Sequence, residues 1–540
     1  MWQHNYLPVG DSLALSSLVA AIPIFTLLIM LAVIRKAAWI SALTGLGAAV
    51  AVALFAYGMP AQLVVSTVFF GAAQGLFPIG WVVFTAVLLY NITVKTGKFE
   101  VVKNSIGSLT DDRRLQALLI AFAFGAFIEG AAGFGTPVAV AAAMLTGLGF
   151  SSFFAGGICL LANTAPVAFG SIGIPVLTLQ RVTGLPLQSL SAGVGRICAP
   201  ISLIIPAYLM LVMGGWKALR GVLPAAIVCG VAFSGTQFLV SNFMGPELVD
   251  ILASLAALGG LVIMLKVWKP KDEFHLPGDG PIPPRPHVSV GDTLLAWSPF
   301  ILLVVCVLAW SPFVLKPMLA AQNMIIEWPG LHNMVQTAPP VSAKAAPYAA
   351  RYTFEWLSAS GTACLLAAIL SAVVLKLPAK TFFSVLGSTA RQLVFAELTI
   401  ATVLGLAILM NYSGATGTLG LAFAGTGVIF PFFSALLGWL GVFLTGSDTS
   451  ANALFGNLQV VTAQQLHMND VLMAASNSSG GVMGKMISLQ SVAVASAATA
   501  MTPSDESKLF RFTLRHSIFL ACMIGLIVMF YAYVMPSWAP

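Results

Sequence analysis

Three ionisable residues, Glu129, Asp448 and Lys485, lie in stretches that are otherwise apolar or made of small residues. At the centre of a bilayer an ionised side chain costs about 3 kcal/mol unless it is paired or protonated. Glu129 and Asp448 are therefore candidate proton carriers, and Lys485 is a candidate partner for an anion. The alternatives are that each carboxylate only caps a helix or pairs with a base, and that Lys485 is a structural partner of Asp448 or Glu397.

Four segments rich in glycine, hydroxyl and amide side chains interrupt the apolar stretches around these residues. They are residues 129–137 and 163–166 in the first half of the chain, and residues 445–452 and 477–481 in the second half. A broken helix frees backbone groups, which is tolerated at membrane depth only where they are buried in protein or line a polar cavity. The segments therefore predict the wall of a substrate cavity, although glycines that merely allow close helix packing would give a similar composition.

Helices that begin within these segments, at Thr136, Pro166, Thr449 and Gly480, would present their N-termini to the cavity. The unpaired N–H groups and the positive end of the helix dipole favour a carboxylate, so the predicted site suits an anion. The candidate substrate-binding residues are Gly133, Gly135, Thr136, Asn163, Thr164, Ser171, Ser447, Thr449, Asn477, Ser478, Ser479 and Lys485.

The sequence lacks the residue arrangements that metal sites, enzymes and nucleic-acid-binding proteins need. The histidines and cysteines form no pair with metal-ligand spacing, so we expect neither a metal nor a cofactor. No nucleophile and base stand together as an enzyme would require. The net charge of +7 lies in short loops between apolar segments, where it orients a membrane protein instead of binding nucleic acid. The residues concerned are His4, His275, His287, His332, His467, His516, Cys159, Cys198, Cys229, Cys306, Cys364 and Cys522.

The composition predicts the elements that hold these residues. Of 540 residues, 59% are hydrophobic and 8% are charged, and the mean hydropathy of +0.95 is far above that of a soluble domain. The chain is therefore predicted to be an all-α polytopic membrane protein with about twelve spanning helices and two broken or re-entrant hairpins, at 115–150 and 427–463. The spans are expected near 13–34, 37–57, 77–94, 151–170, 189–213, 218–240, 248–265, 293–313, 353–375, 397–412, 470–488 and 516–535.

The basic residues predict the orientation. If Arg35 and Lys36 face the cytoplasm, the later basic clusters face it too, and both termini lie outside. The proline-rich segment 270–286 is then a cytoplasmic linker, and residues 316–351 form an external loop. Residues 1–11 contain no basic region before the first apolar run, so we expect this run to remain as a membrane anchor.

The two halves of the chain share a pattern. Phe127 and Phe443 open similar segments 316 positions apart, and Asn163 and Asn477 open two more that are 314 positions apart. The predicted topology runs the corresponding spans in opposite directions, so the repeat is expected to be inverted, as in many secondary transporters. The expected units are a first transmembrane repeat at 1–213, two spans with the linker at 214–292, and a second repeat at 293–540.

Over almost its whole length the chain resembles the lactate permease family of bacterial secondary transporters, which includes glycolate permeases. The resemblance implies proton-coupled uptake of L-lactate, with D-lactate and glycolate accepted, across the bacterial inner membrane. Family membership alone assigns no role to Glu129, Asp448 or Lys485. The most specific segments are GAFIEGAAGFGTPVA (125–139), NTAPVAFGSIGIPV (163–176), GWLGVFLTGSDTSANALF (438–455) and GGVMGKMISLQS (480–491).

Three other functions compete with a proton-coupled carrier. Sodium coupling is the nearest, because unwound carbonyls and clusters of asparagine, serine and threonine also suit Na⁺. An integral-membrane enzyme would need a convergent set of catalytic groups. A channel is disfavoured because inverted broken helices favour alternating access over a continuous pore. The expected partners are a small monocarboxylate, protons and the lipid bilayer, and the sequence does not indicate an oligomeric state.

Overall fold

The apolar stretches of the sequence form helices, because a helix satisfies every backbone N–H and C=O group within its own segment. The computed structural model describes residues 1–133, 135–272, 274, 289–310, 314–342 and 344–539. Most of the predicted linker at 270–286, including His275, lies outside these residues, and so does His287.

Up to residue 272 the described chain contains twelve α-helices, interrupted by short π-helical and 3₁₀ segments. The α-helices are α1 (Leu13–Ala32), α2 (Ala38–Ala51), α3 (Ala61–Gln74), α4 (Trp81–Lys95), α5 (Lys98–Gly107), α6 (Arg113–Gln116), α7 (Gly125–Ala131), α8 (Thr136–Gly147), α9 (Ser152–Ala162), α10 (Gly170–Thr183), α11 (Leu187–Phe243) and α12 (Val249–Val267). The π segments are Val52–Ala56, Gly75–Gly80 and Ala117–Phe124, and the 3₁₀ segment is Val167–Phe169.

Ten α-helices follow in the described part of the second half. They are α13 (Val290–Ala309), α14 (Lys316–Ala320), α15 (Ser360–Val374), α16 (Ala379–Ser413), α17 (Ala415–Ala424), α18 (Phe430–Thr445), α19 (Asp448–Gln465), α20 (Asp470–Lys485), α21 (Leu489–Ala498) and α22 (Pro503–Tyr533). The 3₁₀ segments are Gly427–Ile429 and Pro536–Trp538.

Two small sheets lie within the predicted external loop and its neighbours. Their strands are β1 (Trp2–Gln3), β2 (Met324–Glu327), β3 (Val335–Thr337), β4 (Ala346–Tyr348) and β5 (Arg351–Phe354). The order of the first sheet is β1-β3-β4, with β1 parallel and β4 antiparallel to β3, and β2 pairs antiparallel with β5. Because Trp2 pairs with Val335, the N-terminal segment is joined to this loop.

Ten helices among the described residues are long and apolar enough to cross a membrane, and the bent pair α9 and α10 makes eleven if it forms one span. The protein is an all-α polytopic membrane protein, as its composition predicted. One of the ten, α11, has 57 residues and would be about 85 Å long if straight. Its backbone is non-helical at Gly214 and Gly215, and the Ser191 hydroxyl donates to the Ser241 carbonyl at 2.9 Å. It is therefore a hairpin whose arms match the predicted spans 189–213 and 218–240.

The predicted spans differ from the structure in several places; for example, α22 begins at Pro503, whereas the predicted span begins at residue 516. The prediction omitted α3, which with α4 forms an apolar segment of 35 residues that bends at Phe77. The predicted span 353–375 begins later, at Ser360, because residues 351–354 form β5. The predicted span 397–412 begins earlier, since α16 starts at Ala379.

Both predicted hairpins are helix-break-helix units. In the first, α6, a π segment and α7 run to Ala131, the helix is broken at Ala132 and Gly133, and α8 returns from Thr136. The Arg113 guanidinium donates to the Leu148 carbonyl at 2.5 Å, so the hairpin enters and leaves at one end. In the second, α18 runs to a break at Gly446 and Ser447, and α19 returns.

The hairpins open toward opposite ends of the helix bundle. Lys316, after α13, forms an ion pair of 3.7 Å with Glu247, before α12, so the end of α13 and the start of α12 lie together. The second hairpin opens there, because Gln465 in α19 donates at 2.9 Å to a carbonyl of the segment joining α13 to α15. The first opens at the other end, where Arg114 pairs at 2.8 Å with Asp272, beyond the far end of α12 and about 28 Å away by helical rise.

The predicted break at residues 477–481, with a helix starting at Gly480, is wrong. These residues lie inside α20, which runs without interruption to Lys485. Gly480 and Gly484 face the backbone of α18 instead, at Ala435 and Trp439. The glycines here serve close packing of two helices, which was the alternative reading of this composition.

Candidate functional site

The tips of the two hairpins border a cavity of about 170 Å³. One water molecule needs roughly 10–15 Å³ of such space, so a small organic ligand can fit. The first hairpin contributes Glu129 and the second contributes residues 445–450, while α10, α20 and α21 complete the polar wall. The predicted site residues that line the cavity are Glu129, Ser171, Ser447, Asp448, Thr449 and Lys485.

Glu129 lies near the end of α7 and is 5% exposed. Its Oε2 accepts a hydrogen bond of 3.0 Å from the Asn163 side-chain amide. Its Oε1 faces Gly170, where an added Cβ would lie 2.6 Å away. Asn163 therefore positions the carboxylate from the α9–α10 break, and the missing side chain at residue 170 leaves room for it.

The backbone beside Glu129 adopts an unusual conformation. Ser171, Ile172 and Gly173 have φ of +47°, +61° and +74°, in the left-handed region that non-glycine residues rarely adopt. The Ser171 hydroxyl donates at 3.1 Å to the carbonyl of Ala132 in the hairpin break. Such strain costs on the order of 1–3 kcal/mol per residue and concentrates at functional sites. A hydrogen bond thus connects the tip of the first hairpin to α10 in the cavity wall.

Asp448 is the first residue of α19 and is 3% exposed. Its Oδ2 accepts hydrogen bonds from the Ser478 hydroxyl at 2.5 Å and from the Asn452 amide at 3.4 Å. Its Oδ1 accepts no hydrogen bond from any described residue. One oxygen is therefore held by α19 and α20, and the other is free to bind a proton.

Lys485 ends α20 and is 8% exposed. Its ammonium donates to the Gly446 carbonyl at 2.6 Å, beyond the end of α18, where the negative end of the helix dipole favours a cation. It interacts electrostatically with Glu129 and Asp448. No ion pair joins it to either carboxylate within the described ranges, so its charge remains available to the cavity.

The predicted residues of α20 other than Lys485 do not line the cavity. Asn477 is fully buried, donates to the Asn452 side-chain oxygen at 2.9 Å and accepts from the Gln459 amide at 3.0 Å. Ser478 supports Asp448. Ser479 is fully buried and does not line the cavity.

Of the predicted site residues in the first half, some line the cavity and others do not. Gly133, at φ +59°, packs against the Ser171 side chain. Gly135, at φ +82°, caps α8, which begins at Thr136 as predicted. The Thr164 hydroxyl donates to the Leu161 carbonyl at 2.7 Å. None of these four belongs to the cavity wall in the described structure.

The sequence reasoning missed part of the wall. Thr445 and Ser450 lie in the predicted segment 445–452 but were not among the predicted site residues. Gln490, in α21, was also missed. The signal for Gln490 was an amide side chain five residues after Lys485, between the polar residues Ser488 and Ser491. The rest of the wall is mostly apolar and comes largely from α1, α2 and α16, although α16 also contributes Thr399. Its apolar residues include Leu27, Leu31, Ile400 and Val403.

The described residues contain no group of three or more His, Cys, Asp or Glu side chains that could hold a metal ion. What the cavity offers instead is one ammonium, two carboxyls and several hydroxyls on one side and an apolar surface on the other. This arrangement suits a small molecule that carries one negative charge and a short hydrocarbon part.

Comparison with known proteins gives the family. The model of the L-lactate permease family matches residues 16–535. The chain is 45% identical to the glycolate permease GlcA of Escherichia coli K12, over 99% of this chain and 98% of that protein. It is also 45% identical to the L-lactate permeases of Salmonella typhimurium LT2 and Bacillus subtilis 168, over 99–100% of each chain.

All of these relatives are named permeases, so the chain is a membrane transporter and not an enzyme. The match extends over both hairpins and every residue of the cavity wall. The chain therefore belongs to the L-lactate permease family.

Proposed function

We propose that this protein carries L-lactate and related 2-hydroxymonocarboxylates, such as D-lactate and glycolate, into the bacterial cell across the inner membrane by proton symport. The observation that carries the proposal is the charge set of the cavity wall, with Lys485 beside Glu129 and Asp448. The names of the relatives support the choice of substrate.

The cavity wall offers complementary contacts to such a substrate. Lys485 and the hydroxyls of Ser447 and Thr449, at the N-terminus of α19, suit a carboxylate and a hydroxyl group. Leu27 and Val403 supply an apolar surface on which a methyl group can pack. A dicarboxylate would bring a second negative charge to a wall that already has two carboxyls, so a monocarboxylate is favoured.

The charges of the wall couple the substrate to a proton. When all three groups are ionised, Glu129, Asp448 and Lys485 sum to one negative charge, which repels an incoming carboxylate. Binding a proton at one carboxyl makes the trio neutral and removes that repulsion. The proton and the substrate thus stabilise each other without direct contact, as symport requires.

The test is uptake of labelled lactate into proteoliposomes, with an inward pH gradient and an inward sodium gradient imposed separately. We expect the pH gradient to drive accumulation and the sodium gradient to have no effect. Accumulation with sodium alone would replace proton coupling by sodium coupling. The absence of lactate counterflow under all conditions would reject the substrate class itself.

A further inference from the structure

A third carboxyl group is buried near the cavity, and the sequence analysis did not single it out. Asp250 lies in the first turn of α12 and is 1% exposed. Neither of its oxygens accepts a hydrogen bond from any residue that the structure describes. An ionised carboxylate buried without partners costs several kcal/mol. Burial without partners therefore favours the neutral, protonated form of Asp250.

Asp250 packs directly against the tip of the first hairpin. A Cβ added at Gly130 would lie 2.7 Å from the Asp250 Cβ, so the two backbones are in close contact. The neighbouring residue, Glu129, lines the central cavity and interacts electrostatically with Asp250. Asp250 itself is not part of the cavity wall in the described structure. It lies behind Glu129, one of the two carboxyls of the cavity wall that can bind the transported proton in the proposed mechanism.

A second cavity, of about 320 Å³, lies at the end of the bundle where α12 begins. Glu247, three residues before Asp250, lines this outer cavity and pairs with Lys316 there. The two cavity walls and the layer beside the hairpin tip therefore each contain a carboxyl. These carboxyls are Glu247 in the outer wall, Asp250 in the buried layer and Glu129 in the central wall.

The groups that face Asp250 favour exchange of a proton over a permanent ion pair. Glu129 approaches from α7, and the thiol of Cys198 approaches from α11. No lysine or arginine forms an ion pair with Asp250 in the described ranges. An acidic residue in the first turn of a helix can act only by interacting with the positive end of the helix dipole. That role does not explain why Asp250 is buried without a hydrogen-bond partner.

We propose that Asp250 is a relay group that passes protons between the outer cavity at Glu247 and Glu129. The O–H bond of a protonated Asp250 breaks as an O–H bond forms at Glu129, and Asp250 is reprotonated from the outer cavity, so no other reactant is consumed. Each transfer needs a hydrogen-bonded connection between the two carboxyls, which a bridging water molecule can supply. The proton then has its own route, separate from the substrate path through the central cavity. This inference rests on the proposed proton symport.

The experiment compares the wild-type protein with Asp250→Asn in proteoliposomes. Two rates are measured: lactate accumulation driven by a pH gradient, and lactate exchange at equal pH, each over a range of pH. Asparagine has the shape of a neutral aspartic acid but cannot carry a proton. We expect the ratio of accumulation to exchange to fall by about tenfold or more, because a positioned proton-transfer group contributes at least that much.

Ser254→Ala is the matched control, since Ser254 is fully buried one turn further along α12 and only donates to the Ile251 carbonyl at 2.9 Å. Both of its rates should equal those of the wild type. Asp250→Ser, which also lacks the carboxyl, is the second variant in case the asparagine protein does not fold, and its ratio should fall equally.

The relay is overturned if a folded Asp250 variant keeps the wild-type ratio, or if accumulation and exchange fall together, which indicates a structural role. Failure of the proposed function has a different signature, because then the wild-type protein itself does not respond to the pH gradient. A double variant with Glu129→Gln should show no further loss of the ratio, since two groups in series are not additive.

Discussion

A lysine buried in a membrane protein is stabilised by negative charge beside it. If the lysine also binds an anionic substrate, some of these neighbouring groups must be able to lose their negative charge by binding a proton. The Lys485 ammonium meets both conditions, because it is anchored on the Gly446 carbonyl and its charged neighbours are carboxyls that can take up protons. We expect its single positive charge to allow one monoanion to enter the cavity. We therefore expect the selectivity of the cavity for charge to depend on this residue.

Replacing Lys485 by methionine keeps the length and the packing of the side chain but removes the charge. A hydrogen bond to a charged group contributes about 1.5–3 kcal/mol, so lactate binding should weaken by about tenfold or more. Binding to the purified protein, measured by calorimetry, checks the expectation. Lys485→Arg is the control that keeps the charge and should retain more affinity than the methionine variant. Wild-type affinity in Lys485→Met would show that the substrate binds elsewhere.

Replacing Glu129 by glutamine should separate proton coupling from substrate translocation. The side-chain oxygen of glutamine can still accept the hydrogen bond from Asn163, so the hairpin tip should keep its position. Accumulation driven by a pH gradient should be lost while exchange continues, and the pH dependence of lactate binding should flatten. Full proton-driven accumulation in Glu129→Gln, with loss of it in Asp448→Asn, would transfer the role to Asp448.

The residues of the site differed in how well the sequence could predict them. Glu129, Asp448 and Lys485 stood out because an ionisable side chain in an apolar or small-residue stretch is rare. Asp250 meets the same criterion, but it lies at the start of a predicted span, where contact with the membrane surface is the ordinary explanation. Only its packing against Gly130, from a segment 120 positions earlier in the chain, shows that it is buried.

Single helices show where local composition fails. The segments around residues 133 and 446 are breaks, as predicted, whereas the similar segment 477–481 continues as helix. Glycine and serine are compatible with both outcomes, because in membrane proteins they either free the backbone or let two helices approach closely. The choice for α20 is made by its partner α18, which presents the backbone of Ala435 and Trp439 to Gly480 and Gly484. That partner is not visible in the local sequence.

Gly480→Ala should therefore destabilise the protein. An added methyl group would meet the Ala435 carbonyl at a distance that requires α18 and α20 to move apart, and overpacking of this kind costs about 1–3 kcal/mol. The melting temperature of the purified protein in detergent is the measurement. Gly259→Ala is the matched control, because Gly259 lies in α12 with nothing within 4 Å of an added Cβ. Equal melting temperatures for the two variants would contradict the packing of α18 against α20.

At the scale of the molecule, the two hairpins open toward opposite ends of the bundle and their tips border one cavity. This placement is what two inverted repeats at 1–213 and 293–540 would produce, and the repeat itself stays a prediction. The halves are not copies in detail, since the break after α9 begins at Asn163 whereas its expected counterpart lies inside α20. We propose that an inverted pair of hairpins allows the cavity to open to each side in turn.

The orientation of the whole chain leads to a labelling prediction. Lys344 lies in the segment between α13 and α15, at the end of the bundle where Ser360 contacts Glu247. From there α15 leads to the other end, where Lys380 is the second residue of α16. The distribution of the basic clusters predicts that Lys380 lies in the cytoplasm and Lys344 outside. Both side chains are exposed, and the native cysteines are buried or half-buried and should react slowly.

A membrane-impermeant maleimide added to intact spheroplasts should therefore label Lys344→Cys, and it should label Lys380→Cys only after the membrane is permeabilised. The parent protein without either substitution measures the background from the six native cysteines. Labelling of both positions in intact spheroplasts would mean that the two ends of α15 lie on the same side of the membrane. The opposite pattern would invert the chain, and the cavity at Glu247, from which we propose that protons enter, would then face the cytoplasm.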